Sequence, residues 1–400
     1  MTTLKIKAFH GASYTLIGNL SFAFAQWCIL IIINKLGTAN DVGIFTLSLA
    51  ILNPLFMLAQ GGLRAYIVID TTNQFYFEVY LKLRIILSIF SLIISAIYVF
   101  NESYIYPVLL LGFYKLIDCV FDIFYGEYQR TDTMKKIAIS RSCRAVINVV
   151  SFLLSYLITK SLNAALLSYI ISSLIIFLIY DYRKYNFNPR KVNLFDLKEL
   201  LILSFPLAIT ALFISLNTSI PRLFLESKSG LLELGAFGSF MYIISVAQII
   251  IQSVCQAFTP KIASAYNRGN KEEFIEAAKT LLYFTIFISI IFCIFSIILK
   301  KVIFTLIFNK EYILFYDLYD NIILVSPLVF LCLVIGNINT ARRRIKYQPL
   351  IFLLILITNI PVSYISIMYL GANGAVLSTL LSSILTIILL SIYSIKGREG

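Results

Sequence analysis

Apolar stretches, extended by small or weakly polar residues to about twenty positions, recur along the whole chain, for example at 85–100, 149–158 and 281–299. A helix that crosses the hydrocarbon core of a bilayer needs about twenty mostly apolar residues. Lipid offers the backbone no hydrogen-bond partner, so only helices and closed barrels can span it. Hydrophobic residues make up 60% of the 400 positions and charged residues 13%, a balance that favours lipid as the main solvent. The sequence therefore predicts an all-α membrane protein.

Twelve transmembrane helices are predicted, which places both chain ends on one side of the membrane. Lys5 and Lys7 precede the first apolar stretch, as in a signal peptide, but no small-residue cleavage site follows. We therefore interpret this stretch as a retained helix. The predicted spans are residues 11–34, 43–67, 83–100, 104–125, 138–158, 162–180, 200–221, 235–257, 280–299, 319–339, 350–369 and 373–393.

Lysine and arginine residues are distributed unequally between the two sides of this topology. Of the 33, 25 fall at the termini and the even-numbered connections, including Arg64, Arg84 and Arg144 at the edges of spans, and seven fall on the opposite side. The densest groups lie at 130–144, 183–198 and 342–346. Because cytoplasmic loops carry the excess of positive charge, both termini are predicted to be cytoplasmic. This bias explains the net charge of +13 without a nucleic acid partner.

The sequence argues against an enzyme. The longest predicted connection, residues 181–199, is too short for a soluble catalytic domain. His10 is the only histidine, and the six cysteines have no CxxC spacing, so no metal site, disulfide framework or cofactor is predicted. A membrane-embedded glycan polymerase remains as an alternative, although no predicted periplasmic connection has the length or the paired arginines of such proteins.

An internal repeat is visible at an offset of 192 residues. Residues 41–45 (DVGIF) align with 233–237 (ELGAF), and Gln60 aligns with Gln252 in the same register. The repeat predicts two lobes of six helices each, an N-lobe at 1–195 and a C-lobe at 196–400. Because six is an even number, the lobes share their orientation and are related by an axis along the membrane normal. Two such bundles around a central site are a known arrangement of transporters.

Polar side chains form stripes on two predicted helices that the repeat makes equivalent. In the eighth helix the stripe consists of residues three or four positions apart, which share one helical face: Ser245, Gln248, Gln252 and Gln256. In the second helix the stripe consists of Asn53, Gln60 and Arg64. Such residues either join helices by hydrogen bonds or line a hydrated cavity. Because the stripe occurs in both halves, we favour a substrate path.

The fourth predicted helix carries three ionisable residues on one face: Lys115, Asp118 and Asp122. Charged groups at this depth are costly unless they are paired or hydrated. Lys115 and Asp118 are predicted to pair within the helix, which leaves Asp122 over. A spare carboxylate in a cavity can bind a proton or Na⁺, so the three residues are ion-coupling candidates. The alternative is a static cluster of salt bridges that joins this helix to its neighbours.

Several short motifs, in this order and spacing, resemble those of one transporter family. They are residues 36–37 (LG), 43–45 (GIF) with Pro54, 204–206 (SFP), 220–224 (IPRLF), 234–237 (LGAF), 259–263 (TPKIA), 268–270 (RGN) and 371–375 (GANGA). The chain resembles the Wzx-type polysaccharide flippases of the multidrug/oligosaccharidyl-lipid/polysaccharide exporter (MOP) superfamily. The resemblance implies a MATE-like fold, with two six-helix lobes around a central cavity that opens to either side in turn.

The resemblance also implies a substrate, partners and a location. The substrate would be an oligosaccharide repeat unit on undecaprenyl pyrophosphate, moved across the inner (plasma) membrane of a bacterium. Arg64 and Arg222 would be placed to meet the pyrophosphate or an acidic sugar. Polysaccharide polymerase and chain-length proteins would be partners. Other exporters of the superfamily, a lipid II flippase or a small-molecule antiporter, are the alternatives that keep the fold.

Overall fold

The computed structural model describes residues 2–70, 74–131, 133–183, 192–308, 310–342 and 347–396. These residues form helices joined by short connections, and no strand occurs among them. Seven basic residues that contribute to the predicted topology lie outside the described residues: Lys184, Arg190, Lys191, Arg343, Arg344, Lys346 and Arg398.

The described residues contain thirteen α-helices. A π-helical turn, Phe177–Tyr182, continues α7, and a 3₁₀ segment, Lys310–Phe315, precedes α11. The helices are α1 Thr2–Leu36, α2 Ala39–Gln60, α3 Leu63–Ile69, α4 Phe77–Tyr98, α5 Ile105–Arg130, α6 Met134–Thr159, α7 Leu162–Ile176, α8 Leu194–Asn267, α9 Lys271–Ile298, α10 Lys300–Ile307, α11 Tyr316–Ala341, α12 Gln348–Leu370 and α13 Ala372–Lys396.

The described helices account for the twelve predicted spans. Ten segments are long and apolar enough to cross a membrane. One of them, Leu194–Gln256 in α8, has 63 residues, about three times the length that a bilayer needs. The backbone at Gly230, with φ 84° and ψ −178°, divides α8 into two spans, because only glycine adopts this conformation readily. Helix α5 completes the set, although it carries five charged residues and is not one of the ten apolar segments. The all-α membrane class is confirmed.

Two compact units can be distinguished by their internal contacts. The first comprises Met1–Gly37 with Ser48–Ser215, and the second comprises Thr38–Leu47 with Leu216–Gly400. In the first unit, α5 contacts α3, α4, α6 and α7, so the helix that carries Lys115, Asp118 and Asp122 is also the central one. The predicted lobe boundary at residue 195 stays a prediction.

Within the second unit, the aligned segments of the repeat touch each other. A β-carbon placed on Gly43 would lie 2.3 Å from the carbonyl oxygen of Leu231, and one on Gly235 would lie 3.1 Å from that of Ala39. Gly235 and Leu231 stand 192 residues after Gly43 and Ala39, respectively. The offset of the repeat therefore relates each of the two contacts to the other. Reciprocal contacts of this kind are what a two-fold relation produces. The two lobes that the repeat predicts stay a prediction.

Candidate functional site

Asp122 of α5 lies between two arginines from neighbouring helices. Its Oδ1 is 3.1 Å from Nη1 of Arg64 on α3, and its Oδ2 is 2.9 Å from Nη2 of Arg84 on α4. Arg64 also donates to Oε1 of Gln129 on α5, at 3.3 Å. The close approach of α3 to α5 depends on Gly126, because a β-carbon there would lie 3.3 Å from Cγ of Arg64. Asp122 is therefore held by an arginine on each side.

Asp118, one turn earlier on α5, has its partner on α6. Nη2 of Arg144 lies 2.5 Å from Oδ1 of Asp118. The Arg144 side chain is fully buried, and its guanidinium carbon lies 4.5 Å from the ring centroid of Phe22 and 4.2 Å from that of Phe121. An arginine between two aromatic rings gains cation–π stabilisation and little freedom to move. Arg144 is thus fixed in the core of the first unit, while the side chain of Asp118 is 30% exposed.

These contacts correct two predictions for α5. No ion pair between Lys115 and Asp118 occurs among the described residues, because Arg144 of α6 takes the carboxylate of Asp118 instead. The prediction that Asp122 is left over is also wrong, since Arg64 and Arg84 both bind it. The physical reason is tertiary. Removing an arginine from water is costly unless its charge is paired, and in the folded protein Arg84 and Arg144 pair with the carboxylates of the central helix.

Arg141, one turn before Arg144 on α6, completes a group of four arginines. It donates to Oδ1 of Asn19 on α1 and lies 5.1 Å from the ring centroid of Tyr125. The guanidinium carbon of Arg64 lies 6.0 Å from the centroid of the same ring. Among the described residues, Arg141 and Arg64 thus lie beside one aromatic ring, and only Arg64 has a carboxylate partner.

The four arginines have more hydrogen-bond donors than the surrounding protein accepts. Buried N–H groups without an acceptor among the described residues occur at Nε of Arg84, Nε of Arg141, and Nε and Nη1 of Arg144. Buried donors are normally satisfied, so several unsatisfied ones in one place indicate a bound group or water. With two aspartates as ion-pair partners, the four arginines have an excess of positive charge. The arrangement can bind an anion. We call Arg64, Arg84, Asp118, Asp122, Arg141 and Arg144 the α5 cluster.

Asp181, which the sequence analysis treated only as the start of a connection, lies beside the α5 cluster. The π-helical turn after α7 places it in the interior, where its side chain is fully buried. Ser140 donates to its Oδ2 at 2.7 Å, and the hydroxyl groups of Tyr125 and Ser140 are 2.9 Å apart. Since the proton of Ser140 goes to Asp181, Tyr125 donates to Ser140. This chain of hydrogen bonds fixes the ring beside which Arg64 and Arg141 lie.

The predicted polar stripes have mixed surroundings. In the second unit, Gln252 accepts a hydrogen bond from Nδ2 of Asn337 on α11 at 3.1 Å, Gln248 is half-buried, and Gln256 is exposed. In the first unit, Asn53 and Gln60 are half-buried. Gln252 thus joins two helices, as the packing alternative requires, whereas no hydrogen bond of Gln248 or Gln256 is found among the described residues. The role of the stripes as a substrate path stays a prediction.

Arg222 lies in the first span of α8, eight residues before the break at Gly230. It is half-buried, its Nε is buried without an acceptor, and no ion pair involves it among the described residues. A cation in these surroundings can bind an anion. The assignment of Arg222 to the substrate path stays a prediction.

Sequence reasoning did not identify Arg84, Arg141 and Arg144 as site residues, because it placed them at the cytoplasmic ends of spans. The predicted spans at 83–100 and 138–158 begin later than α4 and α6, which start at Phe77 and Met134. The predicted spans contain these arginines near their ends, whereas the helices continue further over Glu78, Lys82, Lys135 and Lys136. The usable signal was the three ionisable residues of α5, which require partners on other helices.

Comparisons with known proteins agree with this architecture. The family model described as "Polysaccharide biosynthesis protein" matches residues 8–266, and the MatE model matches residues 206–365. The capsular polysaccharide biosynthesis protein CapF of Staphylococcus aureus is 31% identical over 307 residues, which cover 75% of this chain and 77% of CapF.

Solved MATE transporters have the same fold. A multidrug resistance MATE family transporter of the MOP superfamily, in an inward-facing conformation, superposes with a TM-score of 0.76 at 13% identity and 96% coverage of both chains. A MATE transporter of Vibrio cholerae superposes with a TM-score of 0.66 at 12% identity, covering 100% of this chain and 98% of its own.

The chain is a multi-pass membrane protein with the fold of solved MATE transporters. The chain belongs to the polysaccharide biosynthesis protein family. The resemblance inferred from the short motifs is thereby confirmed.

Proposed function

We propose that the protein is a flippase that moves an oligosaccharide repeat unit, linked to undecaprenyl pyrophosphate, from the cytoplasmic to the periplasmic leaflet by alternating access. The α5 cluster is the observation that carries this proposal. The family of the chain, and the role in capsule synthesis that the name of CapF gives to that relative, support the same substrate class.

The physical barrier to flipping is the removal of water from many hydroxyl groups and from a doubly charged diphosphate. Transfer of an unpaired charge into hydrocarbon is prohibitively unfavourable, so the transporter must supply opposite charge and hydrogen bonds within the membrane. Arg64, Arg84, Arg141 and Arg144 supply the charge from three helices, α3, α4 and α6. The amides of Asn53, Gln60, Gln248, Gln252 and Gln256 are suited to the sugar hydroxyl groups.

Arginine is well matched to phosphate, because its planar guanidinium offers parallel N–H donors to two oxygens at once. Arg222, without an ion pair among the described residues, is a second candidate contact for the phosphates. The same proposal includes proton or sodium coupling through Lys115, Asp118 and Asp122. It places both termini on the cytoplasmic side of the bacterial plasma membrane. It also includes cooperation with polymerase and chain-length proteins.

A complementation experiment tests the proposal. In a strain that lacks the gene, lipid-linked repeat units should accumulate in the cytoplasmic leaflet, and the intact gene should restore polysaccharide at the surface. Arg64→Gln should restore it poorly. The matched control is Arg268→Gln, since Arg268 is exposed and pairs with Glu273 outside the α5 cluster, and it should complement fully. Drug sensitivity without glycan accumulation would instead indicate a small-molecule exporter, and accumulation of lipid II a lipid II flippase.

A further inference from the structure

The two arginines that pair with Asp122 differ in how strongly burial and hydrogen bonds fix their side chains. Arg84 is fully buried and also donates to the backbone carbonyl of Ala59, at 3.4 Å, so its position is set by α2 and α4. The Arg64 side chain is 24% exposed, and its other acceptor is the neutral amide of Gln129. One partner of Asp122 is therefore fixed, and the other can exchange.

The backbone before Arg64 is consistent with such exchange. Gly61 and Gly62 both have positive φ, 54° and 64°, and interrupt the helix between α2 and α3. Helix α3 has only seven residues and is joined to α2 through these glycines. Arg64 thus stands on a short helix whose orientation depends on two residues with unusually wide conformational freedom.

We propose that Asp122 is a resident counter-ion, which the phosphate groups of the ligand displace from Arg64 while Arg84 retains the carboxylate. The site that opens consists of Arg64 and Arg141 beside the ring of Tyr125. This inference rests on the proposed function, and it names the part of the substrate that the α5 cluster recognises. The ligand is a lipid diphosphate.

The charges explain why the exchange is selective. Displacement breaks one ion pair of Asp122 but leaves it the other, so no buried carboxylate loses all compensation. A ligand with a single negative charge would only replace one ion pair with another. A diphosphate gains Arg64 and Arg141 together, whose guanidinium carbons lie 6.0 and 5.1 Å from one ring centroid and so within about 11 Å of each other. Because the ligand must displace Asp122 from Arg64, only a ligand with more than one negative charge gains by binding here.

Binding measurements on the full-length protein in lipid nanodiscs test this inference. The probes are undecaprenyl diphosphate, undecaprenyl monophosphate and undecaprenol, which carry no sugar, so the result is independent of glycan transport. In Asp122→Asn, Arg64 has no competing carboxylate, and the affinity for the diphosphate should rise about tenfold. In Arg64→Gln with Asp122→Asn, this gain should be absent.

Glu273→Gln is the control. It removes the ion pair with Arg268, which lies outside the α5 cluster, so the affinity should change less than about twofold. An unchanged or weaker diphosphate affinity in folded Asp122→Asn would overturn the proposal. So would a gain that persists without Arg64, or an equal gain in Glu273→Gln.

A second measurement applies if Asp122→Asn does not fold. With Asp122 intact, Arg64→Gln should reduce the preference for diphosphate over monophosphate about tenfold, because the second phosphate loses its contact. A preserved preference would refute the assignment of Arg64. If the wild-type protein binds the diphosphate as expected but does not flip the glycan, only the proposed function is contradicted.

Discussion

The contact between the two halves of the repeat predicts an unusual effect of a single methyl group. In Gly43→Ala, the new β-carbon would lie 2.3 Å from the carbonyl oxygen and 2.9 Å from the carbonyl carbon of Leu231. Both atoms belong to the backbone of α8, so no side-chain rotation relieves the overlap. The helices must separate by about 1 Å in a packed interior.

The expected loss of stability follows from two opposing contributions. Overpacking of a close contact costs about 1–3 kcal/mol, and more when backbone must move. Alanine in a helix gains about 0.5–1 kcal/mol over glycine. Gly43→Ala should therefore be destabilised by about 1–2 kcal/mol or more. Gly235→Ala should lose less, because its tightest contact, 2.4 Å, is with the hydroxyl oxygen of a side chain, Tyr312.

Gly336→Ala is the matched control, since a β-carbon there would meet no atom within 4 Å. It should be neutral or slightly stabilised. Equilibrium unfolding of the purified protein in mixed micelles with rising SDS content would give the order of the three variants. The packing argument is refuted if Gly43→Ala is as stable as the wild type, or if Gly336→Ala is destabilised to the same degree.

Three further outcomes are expected. Asp122→Asn should impair glycan transport more than Asp118→Asn and should change its dependence on the proton or sodium gradient; full activity with unchanged dependence would reduce Asp122 to a structural role. Cysteines at Gln248 and Gln256 should react with a hydrophilic thiol reagent when the path is open, and labelling only on the opposite helical face would indicate packing residues. A reporter fused to the C-terminus should be active only in its cytoplasmic form, and periplasmic activity would reverse the predicted topology.

The membrane class, the number of spans and the family could be predicted from the sequence because each depends on local patterns. Hydropathy over twenty residues gives a span, and the order of short motifs gives the family. The break at Gly230 illustrates the same point, since it falls between two predicted spans in a helix that is otherwise continuous. Span boundaries were less accurate, because hydropathy treats every charge as solvent-exposed.

The partners within the α5 cluster could not be predicted in this way. Lys115 and Asp118 are neighbours on one helix, which made their pairing plausible, but the packing of α6 brings Arg144 to Asp118 instead. Long-range contacts of this kind depend on which faces of the helices meet, and one sequence does not specify them. The π-helical turn that buries Asp181 had no recognisable sequence signal either.

A resident counter-ion also offers a physical route to release. A transporter that binds a diphosphate tightly gains little, because the ligand must leave on the other side. Asp122 remains bound to Arg84 while the ligand holds Arg64, so it stays within reach and competes for Arg64 throughout. Removal of this competitor should raise the affinity and slow the release together. Tighter diphosphate binding and slower transport in Asp122→Asn are thus two results of one cause. If the salt bridge were purely structural, its loss would weaken binding and slow transport.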